Sequence, residues 1–178
     1  SWEDMVARYT SELANDFGNL ASRSIAMIEK YCDGKVPQPA AEPKVAEAAQ
    51  KACKIADERI CALDFQGGIL AILDFCKVVN GYVTEQAPWV LAKDPANKVE
   101  LEKVLYTTVE SLRILAVLFH PVMPETCEKL WEALGAKILG PIGDQKISEV
   151  ATWGQLPAGV QVSRGDVLFP RLPEPENA

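Results

Sequence analysis

The sequence predicts an all-α fold, a bundle of about five helices followed by an irregular C-terminal arm. Apolar residues recur at steps of three and four through most of residues 1–135, which is the period of a helix face. Beyond Gly135 this period is lost, and glycines, prolines and short extended pieces take its place. The 178 residues are 48% hydrophobic and 24% charged, a balance typical of soluble globular proteins.

The first helix is predicted over residues 6–31, where one amphipathic stripe runs without a break. Asp33 and Gly34 carry the chemistry of a helix C-terminus, and three prolines within residues 36–43 predict a linker. The stripe consists of Val6, Tyr9, Leu13, Phe17, Leu20, Ser24, Met27 and Tyr31.

Similar stripes predict the other helices, over about residues 44–62, 65–86, 98–119 and 124–135. A short helical turn is predicted over residues 88–93 with Pro88 at its first position, and residues 94–97 are predicted to form a turn. The predicted inward residues are Val45, Ala49, Ala52, Cys53, Ala56, Ile60, Ile69, Ile72, Leu73, Cys76, Val79, Val83, Val99, Leu101, Glu102, Leu105, Val109, Leu112, Leu115, Ala116, Phe119, Cys127, Leu130, Trp131 and Leu134.

The loss of helical periodicity after Gly135 divides the chain into three predicted parts. Residues 1–135 form the helical bundle, and residues 136–171 form an irregular arm that packs on the bundle or on a further domain. Residues 172–178 form a disordered tail. The pieces "VQVS" and "VLFP" within the arm predict a little strand.

Composition excludes several classes of protein. No run of 18 or more apolar residues exists, so no membrane span is expected. The five cysteines are odd in number and lack a Cys-x-x-Cys pair, which favours reduced thiols in a cytoplasmic protein. His120 is the single histidine, so no metal site is expected. The net charge of −7 argues against a general nucleic-acid binder.

Motifs for catalysis are missing from the sequence. No phosphate-binding glycine loop follows the P-loop pattern, and no Gly-x-Ser-x-Gly is present. The carboxylates fall on the polar faces of the helices, which indicates solvated surfaces. We expect no catalytic residue in this chain. It opens at Ser1 without an initiator methionine, which indicates a piece of a longer protein.

Two features are candidates for a binding site. Asn15, Asn19 and Arg23 recur every four residues and form one ridge beside the apolar stripe. Asn and Arg suit the edges of nucleobases, although the spacing alone is common and favours a hydrogen-bonded buried Asn and an ordinary surface Arg. Trp89 follows Pro88 at a break in the helical period, where an indole either caps a corner of the core or stacks on a base. The residues alone favour the core.

Three segments, "NDFGNLASRSIAMIEKYCDGKVP", "YVTEQAPWVLAKD" and "LFHPVMPETCEKLWEALG", occur in order along the chain. Together they resemble the C-terminal helical domain of bacterial methionyl-tRNA synthetases, with a likeness that runs from Ser1 to Arg171. The third segment is similar to several class I aminoacyl-tRNA synthetases, including the leucyl, valyl and isoleucyl enzymes. "GNLASR" and "EQAPW" are similar to the methionyl enzymes specifically, and "GDVLFPR" resembles the end of their core region.

The resemblance implies a site that reads the CAU anticodon of tRNA(Met). Asn19 and Arg23 would hydrogen-bond base edges, and Trp89 would stack on a base. Pro88 would position Trp89, and Lys93 would meet a phosphate, unless it is simply a solvated lysine. This interpretation reverses the preference for Trp89 as a core residue.

The resemblance also implies a parent enzyme, methionine–tRNA ligase, with a Rossmann catalytic domain that this chain lacks. That domain would use methionine and ATP with Mg²⁺ and carry a zinc-binding insertion, whereas this segment alone would be inactive and bind no cofactor. Two alternatives stay open. The chain could be a stand-alone tRNA-binding or synthetase-associated module, or the anticodon domain of another class I synthetase. A purely structural helical bundle with no RNA role is a third alternative, and only the motif match argues against it.

Overall fold

The computed structural model describes residues 1–165, without the side chains of Trp2, Met5, Val6, Tyr9 and Thr10. Helices are the regular secondary structure of residues 1–165, and no strand occurs among them, which confirms the predicted all-α class. Its α-helices are α1 (Trp2–Tyr31), α2 (Pro43–Cys61), α3 (Phe65–Gln86), α4 (Pro88–Leu91), α5 (Lys98–Phe119), α6 (Pro124–Ala133) and α7 (Ile147–Val150), and its 3₁₀-helices are Pro95–Asn97, Ala136–Leu139 and Ile142–Asp144.

The predicted helix ends agree with the structure within two residues, except at the start of α1. That helix begins at Trp2 because Ser1 caps it. The hydroxyl oxygen of Ser1 accepts a hydrogen bond from the backbone N–H of Asp4 at 3.2 Å, and the Asp4 carboxylate in turn bonds the backbone of Ser1. A capping box consists of polar groups, so the position of the first apolar residue in a stripe does not show where such a helix begins.

Helix α5 is the centre of the bundle. Every residue from 104 to 116 is buried, and α5 contacts all of the other long helices. Three hydroxyls in this buried stretch donate to carbonyls one turn back, at 2.7–2.8 Å, so their polar atoms are satisfied inside the core. These hydroxyls belong to Thr107, Thr108 and Ser111.

Most of the predicted inward residues are buried, but three are not. Glu102 is half-buried, and its carboxylate lies 3.9 Å from the ammonium of Lys98. The side chain of Ile60 is 38% exposed because it lies at the end of α2, against Gly68 at the start of α3. The side chain of Val99 is 81% exposed because it stands in the first turn of α5, at the rim of the bundle. Val6 and Tyr9 lie outside the described side chains. Helical periodicity predicts which face of a helix is apolar. Residues on that face stay exposed where the helix extends beyond its neighbours.

Helix α1 runs antiparallel to α5 and parallel to α3. The ring of Phe17 in α1 meets the ring of Phe119, the last residue of α5, with 5.1 Å between centroids. The side chain of Asn80 in α3 donates to the carbonyl of Asp16 in α1. This arrangement carries the C-terminal end of α3 to the same end of the bundle as the second half of α1.

A buried ion pair joins α5 to the arm, which corrects the expectation that the carboxylates are solvated. Glu110 and Arg113 are both completely buried, and the Arg113 Nε donates to the Glu110 carboxylate. Arg113 also donates to the carbonyl of Val150 at 2.9 Å. The Glu110 carboxylate accepts from the Tyr106 hydroxyl at 3.1 Å and from the Leu156 backbone N–H at 2.9 Å. Partners from the arm let a carboxylate and a guanidinium occupy the core.

The arm lies along the linker between α1 and α2. The backbone N–H of Val162 donates to the carbonyl of Gly34 at 2.7 Å, and Val36 donates to Val160 at 3.0 Å. The indole of Trp153 donates to the carbonyl of Ala40 at 2.7 Å. The predicted strand over "VQVS" is wrong, since residues 1–165 contain a single isolated bridge there and no strand. The stretch "VLFP" and residues 172–178 lie outside the described residues.

By length and composition alone, residues Phe65–Leu91 would be long and apolar enough to cross a membrane, with a mean hydropathy of 1.2. That stretch contains α3, which packs between α1, α2 and α5 as a core helix, and it includes the break at Pro88. Its apolar character is explained by burial in the bundle.

Candidate nucleic-acid interface

The structure brings two of the predicted site residues together. The guanidinium carbon of Arg23 lies 5.5 Å from the centre of the Trp89 ring, within the range of a cation–π contact. Both side chains are exposed, and 39% of the Trp89 surface is accessible. An aromatic ring and a guanidinium are therefore exposed together at this end of the bundle.

A sharp corner between α3 and α4 holds Trp89 at this place. Ala87 adopts the left-handed conformation, with φ 45° and ψ 65°, and both ends and begins a helix. Its N–H donates to the carbonyl of Val83 at 3.0 Å, and its carbonyl accepts from Val90 at 2.8 Å. A left-handed conformation costs an alanine about 1–2 kcal/mol, so the surrounding packing must enforce it. The break predicted near Ala87 is thus a defined turn.

Pro88 is buried and occupies the first position of α4, as predicted. A proline at that position loses no hydrogen bond, and its ring restricts the backbone directly before Trp89. The indole consequently leaves the corner in a direction that the core defines. Both interpretations of Trp89, as part of a core corner and as an accessible ring, agree with this geometry in part. Pro88 is buried at the corner, and the Trp89 side chain is exposed.

Asn19 is exposed on α1, four residues before Arg23. Asn15, four residues earlier, is exposed as well. In an α-helix four residues span about 6 Å, so the amide of Asn19 lies one turn from the guanidinium on the same side. The ridge predicted from the spacing is therefore accessible along its length.

Lys93 follows α4 and is exposed. Its backbone N–H donates to the carbonyl of Val90 at 3.1 Å, which closes the turn after the helix. The next residue, Asp94, caps the following 3₁₀-helix through a 2.9 Å bond from the N–H of Ala96. The lysine side chain is thus carried by an ordered segment, four residues from Trp89.

Asn80 is a residue that the sequence analysis missed. It is half-buried in α3 and faces α1, two turns before the corner. The sequence does show a polar amide directly after Val79, in a helix whose inward residues are otherwise apolar. Spacing within one helix does not reveal that such an amide reaches a neighbouring helix.

Three buried cysteines of the bundle are held in the protonated form. Burial raises the pKa of the Cys53 thiol to about 11 and those of Cys76 and Cys127 to about 12, so these groups are poor nucleophiles at neutral pH. Among residues 1–165, no three His, Cys, Asp or Glu side chains are close enough to hold a metal ion. The ring of His120 lies 3.4 Å from the carboxylate of Glu128, beyond the end of α5.

Comparison with known proteins identifies the family. The sequence profile of the anticodon binding domain of methionyl tRNA ligase matches residues 36–178. The chain belongs to this family. The methionine–tRNA ligase of Streptomyces coelicolor is 54% identical over 98% of the chain, and that of Enterococcus faecalis is 43% identical over 96%. These alignments also reach into helix α1, which lies wholly outside the profile match.

Solved structures of a methionyl-tRNA synthetase have the same fold. The free-state enzyme of Mycobacterium tuberculosis superposes with a TM-score of 0.75 and 31% identity over 98% of the chain. The same enzyme in complex with methionyl-adenylate superposes with a TM-score of 0.74. The chain spans 34% of the length of the Streptomyces relative and 26% of the Enterococcus relative, so it corresponds to one part of a methionyl-tRNA synthetase. The family membership decides against the leucyl, valyl and isoleucyl enzymes.

Proposed function

We propose that this segment recognises the CAU anticodon of tRNA(Met) as part of a longer methionine–tRNA ligase. Trp89 stacks on one base of the anticodon loop, and Asn19 and Arg23 hydrogen-bond the edges of the bases beside it. The observation that carries this proposal is the 5.5 Å approach of the Arg23 guanidinium to the Trp89 ring at an exposed end of the bundle. An aromatic plane next to amide and guanidinium groups is the combination that binds unstacked bases.

The negative charge of the chain is compatible with this function. A site that reads a few unpaired bases by stacking and by edge contacts needs few phosphate contacts, unlike a site for duplex nucleic acid. Lys93 supplies one such contact to a phosphate of the loop. We expect weak binding of tRNA by the segment alone, since the net charge is −7. In the longer enzyme a second contact to the acceptor end reinforces the first.

The rest of the longer protein supplies the chemistry. We propose a Rossmann catalytic domain that activates methionine with ATP and Mg²⁺, carries a zinc-binding insertion and attaches methionine to the tRNA. The lengths of the relatives and the methionyl-adenylate in one solved structure support this assignment. The segment contributes recognition, and the place of action is the cytoplasm. Finding a Rossmann half in the same open reading frame distinguishes this arrangement from a stand-alone tRNA-binding module.

The test is a titration of the chain with anticodon stem-loops, followed by tryptophan fluorescence. One stem-loop carries CAU and the other carries a changed anticodon in the same stem. We expect tighter binding of the CAU loop, with a fluorescence change that disappears in Trp89→Phe because the other three tryptophans lie elsewhere in the chain. Equal affinities for the two loops would contradict the proposed recognition.

A further inference from the structure

The amide of Asn80 has a single possible orientation. Its nitrogen lies 3.4 Å from the carbonyl oxygen of Asp16 in α1 and 3.2 Å from the carbonyl oxygen of Cys76 in its own helix. The sulfur of Cys76, also an acceptor, lies 3.7 Å away. Because every neighbour of this nitrogen accepts hydrogen bonds, the NH₂ group must face them, and rotating the amide by 180° would set oxygen against oxygen.

The oxygen of the same amide is left for a ligand. The Oδ1 of Asn80 has no partner among the described residues, and it is not one of the unpaired polar atoms that are buried there. A free carboxamide offers donors and an acceptor together, but here the helix carbonyls occupy the donors. Asn80 therefore presents to solvent an acceptor alone, held in place by two hydrogen bonds.

This acceptor lies beside the proposed anticodon site. Asp16 precedes Asn19 by three residues, which is less than one helical turn and a rise of about 4.5 Å. Helix α1 thus contacts the segment formed by α3 and α4 at two levels. Asp16 meets Asn80 at the first level, and Arg23 meets Trp89 two turns further along. Asn19 lies between the two levels on the exposed ridge.

We propose that Asn80 is a further specificity-determining residue, whose Oδ1 accepts a hydrogen bond from the exocyclic amine of an anticodon base. This inference rests on the proposed function. The chemistry selects the N4 amine of cytosine or the N6 amine of adenine, because both are donors. Uracil and guanine place a carbonyl oxygen at the corresponding position, and two acceptors repel each other. The amide thus discriminates between bases of the same size by the direction of one hydrogen bond.

The experiment removes the amine from the RNA and the amide from the protein. The full chain of 178 residues is titrated with a CAU stem-loop, and with two analogues of it. One analogue carries purine riboside in place of adenosine, and the other carries pyrimidin-2-one riboside in place of cytidine. The titrations are repeated with Asn80→Leu, with the smaller Asn80→Ala, and with Gln50→Leu, which removes an exposed amide from α2 as the matched control.

We expect one of the two analogues to bind the original chain and Gln50→Leu roughly 3- to 10-fold more weakly than the CAU loop, as the loss of one hydrogen bond predicts. Asn80→Leu and Asn80→Ala should bind that analogue and the CAU loop equally well. If Asn80 only links two helices, its replacement should lower the affinities for the CAU loop and for the analogue by the same factor. An unchanged ratio of these two affinities would overturn the inference. Equal binding of both analogues and the CAU loop by the original chain would also overturn it.

These outcomes differ from a failure of the proposed function. If the original chain does not distinguish the CAU loop from a changed anticodon, anticodon recognition itself is wrong, and the role of Asn80 falls with it. If the CAU loop is preferred but the amines make no difference, recognition stands and the role of Asn80 is excluded. Thermal unfolding of each variant, measured in parallel, separates folding defects from binding defects.

Discussion

The guanidinium of Arg23 lies over the indole of Trp89, 5.5 Å from the ring centre, although the two residues belong to helices that are not neighbours in sequence. The contact joins the ridge of α1 to the corner between α3 and α4. For the proposed recognition, side chains that the fold already holds together lower the entropic cost of binding.

Replacement of Trp89 by alanine should weaken binding of a CAU stem-loop by about 1–3 kcal/mol, the contribution of one stacked base. Because 39% of this side chain is exposed and the buried Pro88 remains, the helical circular dichroism should be nearly unchanged. Replacement of the buried Trp131 is the contrasting control and should unfold the bundle. Unfolding of Trp89→Ala would instead identify the indole as a core residue.

Arg23→Ala should reduce the preference for CAU over a changed anticodon by about 1–3 kcal/mol, which corresponds to one base contact. Arg23→Lys keeps the charge but lacks the planar fork, so it should restore little of the preference. Arg8 is an exposed arginine near the start of the same helix, and Arg8→Ala should leave the preference intact. An unchanged preference in Arg23→Ala would exclude this residue from base recognition.

Ala87→Gly should stabilise the chain while weakening RNA binding. Glycine removes the left-handed strain of about 1–2 kcal/mol, and the more flexible unfolded chain offsets part of this gain. We expect a net stabilisation of roughly 0.5–1 kcal/mol in urea denaturation, and lower affinity because the corner no longer aims Trp89.

Gly81→Ala is the matched substitution within α3, where an added Cβ would meet no atom within 4 Å. It should raise stability by about 0.5–1 kcal/mol through helix propensity and leave affinity unchanged. Equal affinity in both variants would show that the conformation of Ala87 has no part in binding.

Glu110→Gln should destabilise the bundle strongly, because it leaves the Arg113 guanidinium buried without a countercharge. Breaking a buried pair by removal of one partner costs about 3–5 kcal/mol. The double variant Glu110→Leu with Arg113→Met removes both charges and should recover much of this loss. Urea denaturation of the single and double variants measures the coupling. Additive losses would mean that the two charges act independently.

The stability of the chain should decrease above about pH 9, where thiols of the unfolded chain ionise. Burial raises the folded pKa of Cys53 to about 11 and those of Cys76 and Cys127 to about 12. A raised folded pKa means that the unfolded state releases protons first, so the stabilisation is complete below pH 9 and is lost towards pH 12. Between pH 8 and 11 the midpoint of thermal unfolding should fall less in Cys76→Ala than in the original chain, when each is compared with its own midpoint at pH 8.

Labelling of native thiols tests the same burial independently. Cys61 is the exposed cysteine of the five, whereas Cys53, Cys76 and Cys127 are buried. A thiol reagent at pH 7.5 should modify Cys61 quickly and the buried thiols slowly, and Cys61→Ser should remove the fast phase. Rapid modification of several thiols in Cys61→Ser would contradict the buried positions.

Local rules predicted the helices because their causes are local. Apolar steps of three and four, the prolines at the first positions of α4 and α6, and Gly135 after α6 act within a few residues of where they stand. The start of α1 was misplaced because its cause, the capping box at Ser1, is polar. The division of the chain at residue 135 stays a prediction, although the arm shares buried hydrogen bonds with α5.

The candidate site was predictable only in part from the residues. The spacing of Asn19 and Arg23 places them on one face of a helix, whatever the rest of the chain does. The role of Trp89 came from a resemblance, since the residues alone favoured the core. No periodic pattern indicates that Glu110 is buried, because its burial depends on Arg113 and on backbone donors from the arm.

The sequence by itself determined where the helices lie, which faces they bury and which residues share the ridge of α1. Those properties follow from the helical period and from the chemistry of helix ends. Only the tertiary structure decided that Arg23 meets Trp89, that the Asn80 amide donates to α1, and that a charged pair is buried beside the arm. Each of these depends on contacts between residues far apart in the chain, which arise when helices pack and which no local pattern encodes.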